Sequence, residues 1–303
     1  ENEILVYVKN RQPSSRWYSG SGIYRDVFLL KSGKVGFKQQ SVKVTTPNLE
    51  NEYKLGYCNT NVEYVIENTT NETSTVTVEA IVKYFGMEIL KKSFAVSVDA
   101  NSEVTEKFTA LVSEPKLWDE YDGQYYTLTL NLYNSDGKTI SSSETYYGYR
   151  YFNFDPNTGF WLNGKNIKLR GACMHHDLGC LGAEINQSAI DRQILKLKEA
   201  GFNAIRLTHN PSCAEFTNAC MRMGIMCIEE AFDCWTIQKK PYDYARFFLE
   251  YAESDVKSMV KRSINNPCVI AWSLGNEIPD TRRSNSSKVL QDPIVTVPNL
   301  RNW

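Results

Sequence analysis

The sequence predicts a multidomain β plus α/β protein, with an immunoglobulin-like β-sandwich followed by the first half of a TIM (β/α)8 barrel. Three observations carry this. Up to about residue 150 the chain is rich in Thr, Val, Ser and Tyr and alternates polar with apolar residues, the period of half-buried strands. After that point strand-like runs alternate with helical ones, the order of parallel βαβ units. Each of those later strands ends in a polar burst, and a closed barrel gathers such strand ends at one mouth.

Residues 1–34 read as part of an earlier β unit. ENEILVYVKN resembles a strand rather than a signal peptide, so the chain is expected to open mid-strand. RWYSGSGIYRDVFLL supplies the unit's closing strand, and its Arg and aromatic residues suggest a cluster that holds a domain junction. Residues 35–149 contain VEYVIEN, STVTVEAIVKYF, KSFAVSVD, SEVTEKFTALV and QYYTLTLNLYN, separated by turn residues at 68–73 and 134–137. Short strands without helices at this spacing suggest the immunoglobulin-like sandwich.

Residues 150–303 hold the half-barrel. KNIKLRG (165–171) is the first strand, and Ser188 with Asp191 forms a capping box for the helix that follows. Ile190, Ile194 and Leu197 mark that helix's apolar face, and Gly201 ends it. FNAIRLT (202–208) is the second strand, AEFTNACMRMG a short helix, and GIMCIEE (224–230) the third strand. A long helix from Tyr242 to about Ile264 follows, with Phe247, Tyr251 and Met259 among its apolar positions. CVIAWSLGNE closes the series.

Lys plus Arg (34) nearly balance Asp plus Glu (35), which removes the electrostatic case for nucleic acid or an anionic membrane. No apolar run approaches the ~20 residues that span a bilayer. The eight cysteines form no C-x-x-C pair and read as reduced, buried thiols, as expected of a cytoplasmic protein. Sequons at Asn68, Asn71, Asn186 and Asn285 decide nothing on their own.

The polar bursts contain all three histidines, His175, His176 and His209. Any one of them could simply satisfy a backbone group. Three at one barrel face favour function. Adjacent His175 and His176 point to opposite faces and cannot easily share a metal ion, and no H-x-H pair exists, so metal-dependent hydrolysis is disfavoured. Carboxylate chemistry fits better. Glycoside hydrolysis needs a proton donor and a second carboxylate, and Glu277 ends a buried apolar strand, a setting that would let it hold a proton. Asn276 could bond a sugar hydroxyl, and Arg206 could hold a nucleophilic carboxylate ionised. Trp235 could stack on a sugar face or pack against the barrel rim.

PSSRWYSGSGIYRDV (13–27), NGKNIKLRGACMHHD (163–177), NAIRLTHNP (203–211) and NNPCVIAWSLGNE (265–277) resemble, in this order, the family 2 glycoside hydrolases, the β-galactosidase and β-glucuronidase family. The resemblance implies a jelly-roll sugar-binding domain, of which residues 1–34 would be the end, then an immunoglobulin-like sandwich and a barrel that retains anomeric configuration. It implies Glu277 as general acid/base with Asn276 as its sugar-binding neighbour. His175 and Asp177 match sugar-contacting positions, and Arg206, His209 and Asn210 match the second-strand signature. HHDLGCLGA with EEAFDCW looks closest to the β-galactosidase branch. The implied activity is exo-hydrolysis of terminal β-galactosides, with β-glucuronides or non-catalytic carbohydrate binding as alternatives. Carbohydrate is the expected partner, a homo-oligomer is possible, and no cofactor is expected. Some β-galactosidases bind magnesium through a Glu and a His just after the third strand, where Ala-Phe-Asp-Cys-Trp-Thr (231–236) stands here, so that metal site is not expected. The family's nucleophilic Glu would fall beyond Trp303, leaving these residues inactive alone, with Glu229 or Glu230 as less favoured substitutes.

Overall fold

The computed structural model describes residues 3–16 and 22–278. Trp17 to Ser21 of the aromatic-basic segment, the sequon at Asn285 and the stretch 281–303 lie outside the described residues. Residues 3–16 and 22–34 form no strand, contrary to expectation. Their apolar side chains, among them Ile4, Leu5, Phe28 and Leu29, are exposed. A strand is stable only with a neighbour to pair its backbone and cover one face, and no strand pairs with these segments among the described residues.

Two antiparallel sheets follow. In the first, the long β3 (Tyr57–Asn68) pairs with β6 (Ser102–Ser113) on one edge and with β1 (Val35–Phe37) and β2 (Lys43–Thr45) on the other. The second has the order β5-β4-β7-β8, formed by β4 (Ser74–Tyr84), β5 (Met87–Val98), β7 (Tyr126–Tyr133) and β8 (Thr139–Tyr147). The strand period of two sends Val62, Tyr64 and Ile66 of β3 toward Val78, Ala80 and Val82 of β4 and Leu128, Leu130 and Leu132 of β7, one buried core between the sheets. Tyr149 closes it, its hydroxyl 2.8 Å from Thr60 Oγ1. One short helix, α1 (Leu49–Lys54), was not expected. Only Leu49 of it is buried, so it carries no periodic stripe to read.

The next strands, β9 (Phe152–Asp155), β10 (Gly159–Leu162) and β11 (Lys165–Ile167), make an antiparallel meander. The expected first barrel strand KNIKLRG is therefore split. Its first half is β11, and the first parallel strand is β12 (Gly171–Met174). After it come β13 (Ala204–Leu207), β14 (Met226–Glu230) and β15 (Val269–Ser273), all parallel and in sequential order. Helices α2 (Gln187–Glu199), α3 (Ala214–Met223) and α4 (Phe248–Ser263) make the three crossovers. This is the topology of an unclosed half of a βα barrel.

Two local expectations are corrected. Asn186, not Ser188, caps α2, accepting from Ala189 N at 3.0 Å, while Asp191 accepts from Gln187 and Arg222. In α4 the buried face is Phe248, Ala252, Val256, Met259 and Val260. Phe247 and Tyr251 are exposed and pack on each other. The adjacent pair Phe247-Phe248 let the stripe be read one residue out of phase.

The sandwich grips the half-barrel directly. Trp118 donates to the Met221 carbonyl at the end of α3, and the buried guanidinium of Arg150 donates to the carbonyls of Pro267 and Val269. Gly123 lies so close to α3 that a Cβ there would stand 2.2 Å from the Arg222 carbonyl oxygen. No helix among the described residues is long and apolar enough to cross a membrane.

Candidate active site

The carboxyl ends of β12 to β15 bring most of the expected site residues to one mouth. Alternation along β14 decides the fate of its two glutamates. Glu230 turns inward and is fully buried. It accepts from Arg206 Nε and Nη2 at 2.9 and 2.6 Å, from Ser273 Oγ at 2.7 Å, and lies 2.5 Å from His209 Nδ1. Glu229 turns outward, equally buried, and accepts from Arg262 at 2.6 Å and Ser212 at 2.9 Å. Both carboxylates are thus tied to cations and removed from solvent, which corrects their reading as substitute nucleophiles. The carboxylate that Arg206 holds is Glu230, and its role is to fix the second and third strand ends together.

Arg206 also donates to Asn276 Oδ1 at 3.2 Å, while Asn276 Nδ2 donates to Asp233 Oδ1 at 3.0 Å and Asn276 N to the Phe232 carbonyl at 2.8 Å. The amide is only 6% exposed and rigidly oriented. Each end of it has been given one partner, which leaves one N–H and one lone pair for a ligand. His175 meets His209 edge to face at 5.3 Å. Burial lowers the His175 pKa below the ordinary range, and the neighbouring His209 adds to this, so the ring is neutral near pH 7.

Glu277 follows at the tip, with φ +46°, a left-handed conformation uncommon for a side-chain-bearing residue. Its setting differs from the expected apolar pocket. The side chain is 60% exposed, and its ion partners are Arg16 Nη1 at 3.3 Å and Lys239 Nζ at 3.9 Å. Strand β15 delivers the carboxylate, and loops from elsewhere surround it.

Other expected residues lie apart. Trp235 is 7% exposed, stacks on Phe248 and donates to the Leu274 carbonyl, so it is rim packing rather than a sugar platform. Asn210 donates to His176 Nδ1 at 3.1 Å, on the side of the strand where Tyr24 stacks on His176. Asp177 is exposed and accepts from Gly179 N at 2.7 Å. Of the eight cysteines, all free, Cys173 and Cys180 are exposed and Cys213 is half-buried, against the expectation that all are buried.

Three site residues escaped the sequence reading. Asp233 is the hub, accepting from Arg16 Nε and Nη2 at 3.0 and 2.7 Å, from Lys239 Nζ at 3.0 Å and from Asn276. Burial alone would raise its pKa, but the hydrogen bonds from Arg16, Asn276 and Lys239 outweigh that and hold it at about 2. Asp233 was visible in the third polar burst. Arg16 and Lys239 carried no local signal, since Arg16 stands 217 positions from its partner. Arg16 thus reaches the mouth, while Arg25 lies over Tyr24 and donates to the Pro211 carbonyl.

Comparison with known proteins agrees with this architecture. Residues 41–150 match the family model of glycosyl hydrolases family 2, and residues 156–293 match the model of that family's TIM barrel domain. The chain is 40% identical over 278 residues to the beta-galactosidase BoGH2A of Bacteroides ovatus, covering 91% of this chain and 32% of the relative. It is 30% identical to a putative beta-glucuronidase of Formosa agariphila, covering 91% of this chain and 26% of that protein. The crystal structure of a glycosyl hydrolase family 2 member from Bacteroides cellulosilyticus superposes with a TM-score of 0.88 at 35% identity, covering 96% of this chain and 37% of the other. The chain spans about a third or less of the length of these relatives. With sandwich and barrel segments both matched, in order and nearly end to end, the chain belongs to glycosyl hydrolase family 2.

Proposed function

We propose that the protein is a retaining exo-β-glycosidase acting on terminal β-galactosides, with Glu277 as general acid/base. The observation that carries this reading is the mouth itself. At the tip of β15 the Glu277 carboxylate follows the rigid Asn276 carboxamide, which accepts from Arg206, itself paired with the buried Glu230, while the neutral His175 ring meets His209 in the same mouth. Such a set can hold sugar hydroxyls while a proton passes to the leaving oxygen. In the first step Glu277 would give its proton to the glycosidic oxygen as the C1–O bond breaks and a second carboxylate attacks C1. In the second step the ionised Glu277 would take a proton from the water that releases the sugar. Glu229 and Glu230 are not available as that nucleophile, so it is assigned outside the described residues. The 40% identity to a beta-galactosidase favours galactosides, and the similarity to a putative beta-glucuronidase makes glucuronides the second candidate. Eight free thiols support a cytoplasmic setting.

The test is a panel of aryl β-glycosides with the full-length protein. Turnover of the galactoside above the glucuronide is expected, with the β-anomer formed first. Glu277→Gln is expected to lower kcat/KM on poor leaving groups by about 10²–10⁴-fold while sugar binding persists. An α-anomer as first product, or an unimpaired Glu277→Gln enzyme, would overturn the assignment.

A further inference from the structure

At the mouth three oxygens converge, Asp233 Oδ1 from the loop after β14 and the Asn276 carbonyl and Glu277 Oε2 from the tip of β15. Enclosed among them is Lys239 Nζ, at 3.0, 2.8 and 3.9 Å respectively. These donors do not fit a divalent metal ion. Their negative charge is already met by Lys239 and by Arg16, which holds both oxygens of Asp233. No group of three His, Cys, Asp or Glu side chains suited to a metal occurs among the described residues.

We propose that the Lys239 ammonium is the resident cation of this site, a positioning residue that holds the Asn276–Glu277 turn and thereby the proton donor. The inference rests on Glu277 being the acid/base.

The loop is built to deliver this lysine. Asp243, 3% exposed, accepts from the backbone N–H groups of Lys239 and Lys240 at 2.7 and 2.8 Å and from that of Ala245 at 3.0 Å. The Lys239 side chain is only 11% exposed, whereas a lysine with no task keeps its ammonium in water. A compact ammonium with three donors suits three converging oxygens, while a planar guanidinium does not. A hard divalent ion would bind the carboxylate at about 2 Å and tie up an oxygen that must exchange a proton. The ammonium bonds the Asn276 carbonyl and Asp233 directly but stands back from Glu277. It fixes the turn without a close bond of its own to the carboxylate, whose Oε2 lies 3.3 Å from Arg16 Nη1.

The experiment compares wild type, Lys239→Ala, Lys239→Arg and Glu277→Gln in the full-length enzyme, on aryl β-galactosides with poor and with activated leaving groups. Lys239→Ala is expected to lose about 10²-fold in kcat/KM on poor leaving groups and far less on dinitrophenyl glycosides, which need little proton donation. Ammonium or methylamine should restore part of the loss, Lys239→Arg should not behave as wild type, and wild-type activity should survive chelator. A merely structural lysine would cost both leaving-group classes equally and resist amine rescue, and either result would overturn the proposal. So would loss of wild-type activity in chelator with recovery in magnesium. Thermal melts separate misfolding from mispositioning. If Lys239→Ala does not fold, Lys239→Arg on the two leaving-group classes decides by the same criterion. Absence of leaving-group dependence in Glu277→Gln would instead sink the acid/base reading itself.

Discussion

Asp233 shows how one side chain organises a site through its partners. Its carboxylate binds two cations and one carboxamide, which come from the N-terminal segment, the loop after β14 and the tip of β15. Its pKa, about 2 when folded against an ordinary 3.8, makes the network a pH-dependent contribution to stability. Because the folded value is depressed, that contribution is fully present above about pH 4 and is lost as pH falls through about 2. It amounts to about 2 kcal/mol. Melting temperatures measured from pH 2 to 7 should show Asp233→Asn less stable than wild type at neutral pH, with the gap closing in acid. A constant gap across that range would refute the linkage. Asp233 was legible as a polar residue after a strand, but its partners were not. Nothing local marks Arg16 or Lys239, because what selects them is a charge that arrives from elsewhere in the chain.

At the scale of the element, alternation and helical period were read correctly wherever one face is buried along its whole length, as in β3, β4, β7 and α2. The failures come from positions where two readings satisfy the same period. In α4 either of two adjacent phenylalanines could begin the stripe. At the start of α2, Asn186 and Ser188 are both competent caps, and chain direction chose the first. This choice is testable. Asn186→Ala should cost about 1 kcal/mol in chemical denaturation, and Ser188→Ala only a few tenths. Equal costs would return the cap to Ser188. KNIKLRG was misassigned for a related reason, since a β-rich run does not say whether its partner is antiparallel or parallel. Register with β10 captured Lys165–Ile167 before the barrel sheet began.

Across the whole molecule the sandwich and half-barrel meet through backbone as much as side chains. The loop that carries Trp118 and Gly123 closes on the C-terminal end of α3, where Trp118 satisfies a terminal carbonyl and Gly123 permits the approach. Gly123→Ala should therefore destabilise the protein by about 1–3 kcal/mol, read as a lower denaturation midpoint. A neutral substitution would mean that the two parts touch less firmly than this geometry requires. Arg16, outside the barrel, serves the mouth at the other end of the strands through separate contacts, among them the bond that the Tyr242 backbone N–H donates to the Pro13 carbonyl.

Sequence alone determined the two-part architecture and the parallel order of the last four strands, and it put Arg206, His209, Asn276 and Glu277 on or just after strand ends, because hydrophobic period and strand-end polarity are local quantities. Only the tertiary structure decided which glutamate faces inward, that Trp235 is rim and not platform, and that two cations stand beside Glu277. Those outcomes depend on which distant groups share a small volume, and charge pairing and burial are settled only when the chain has folded.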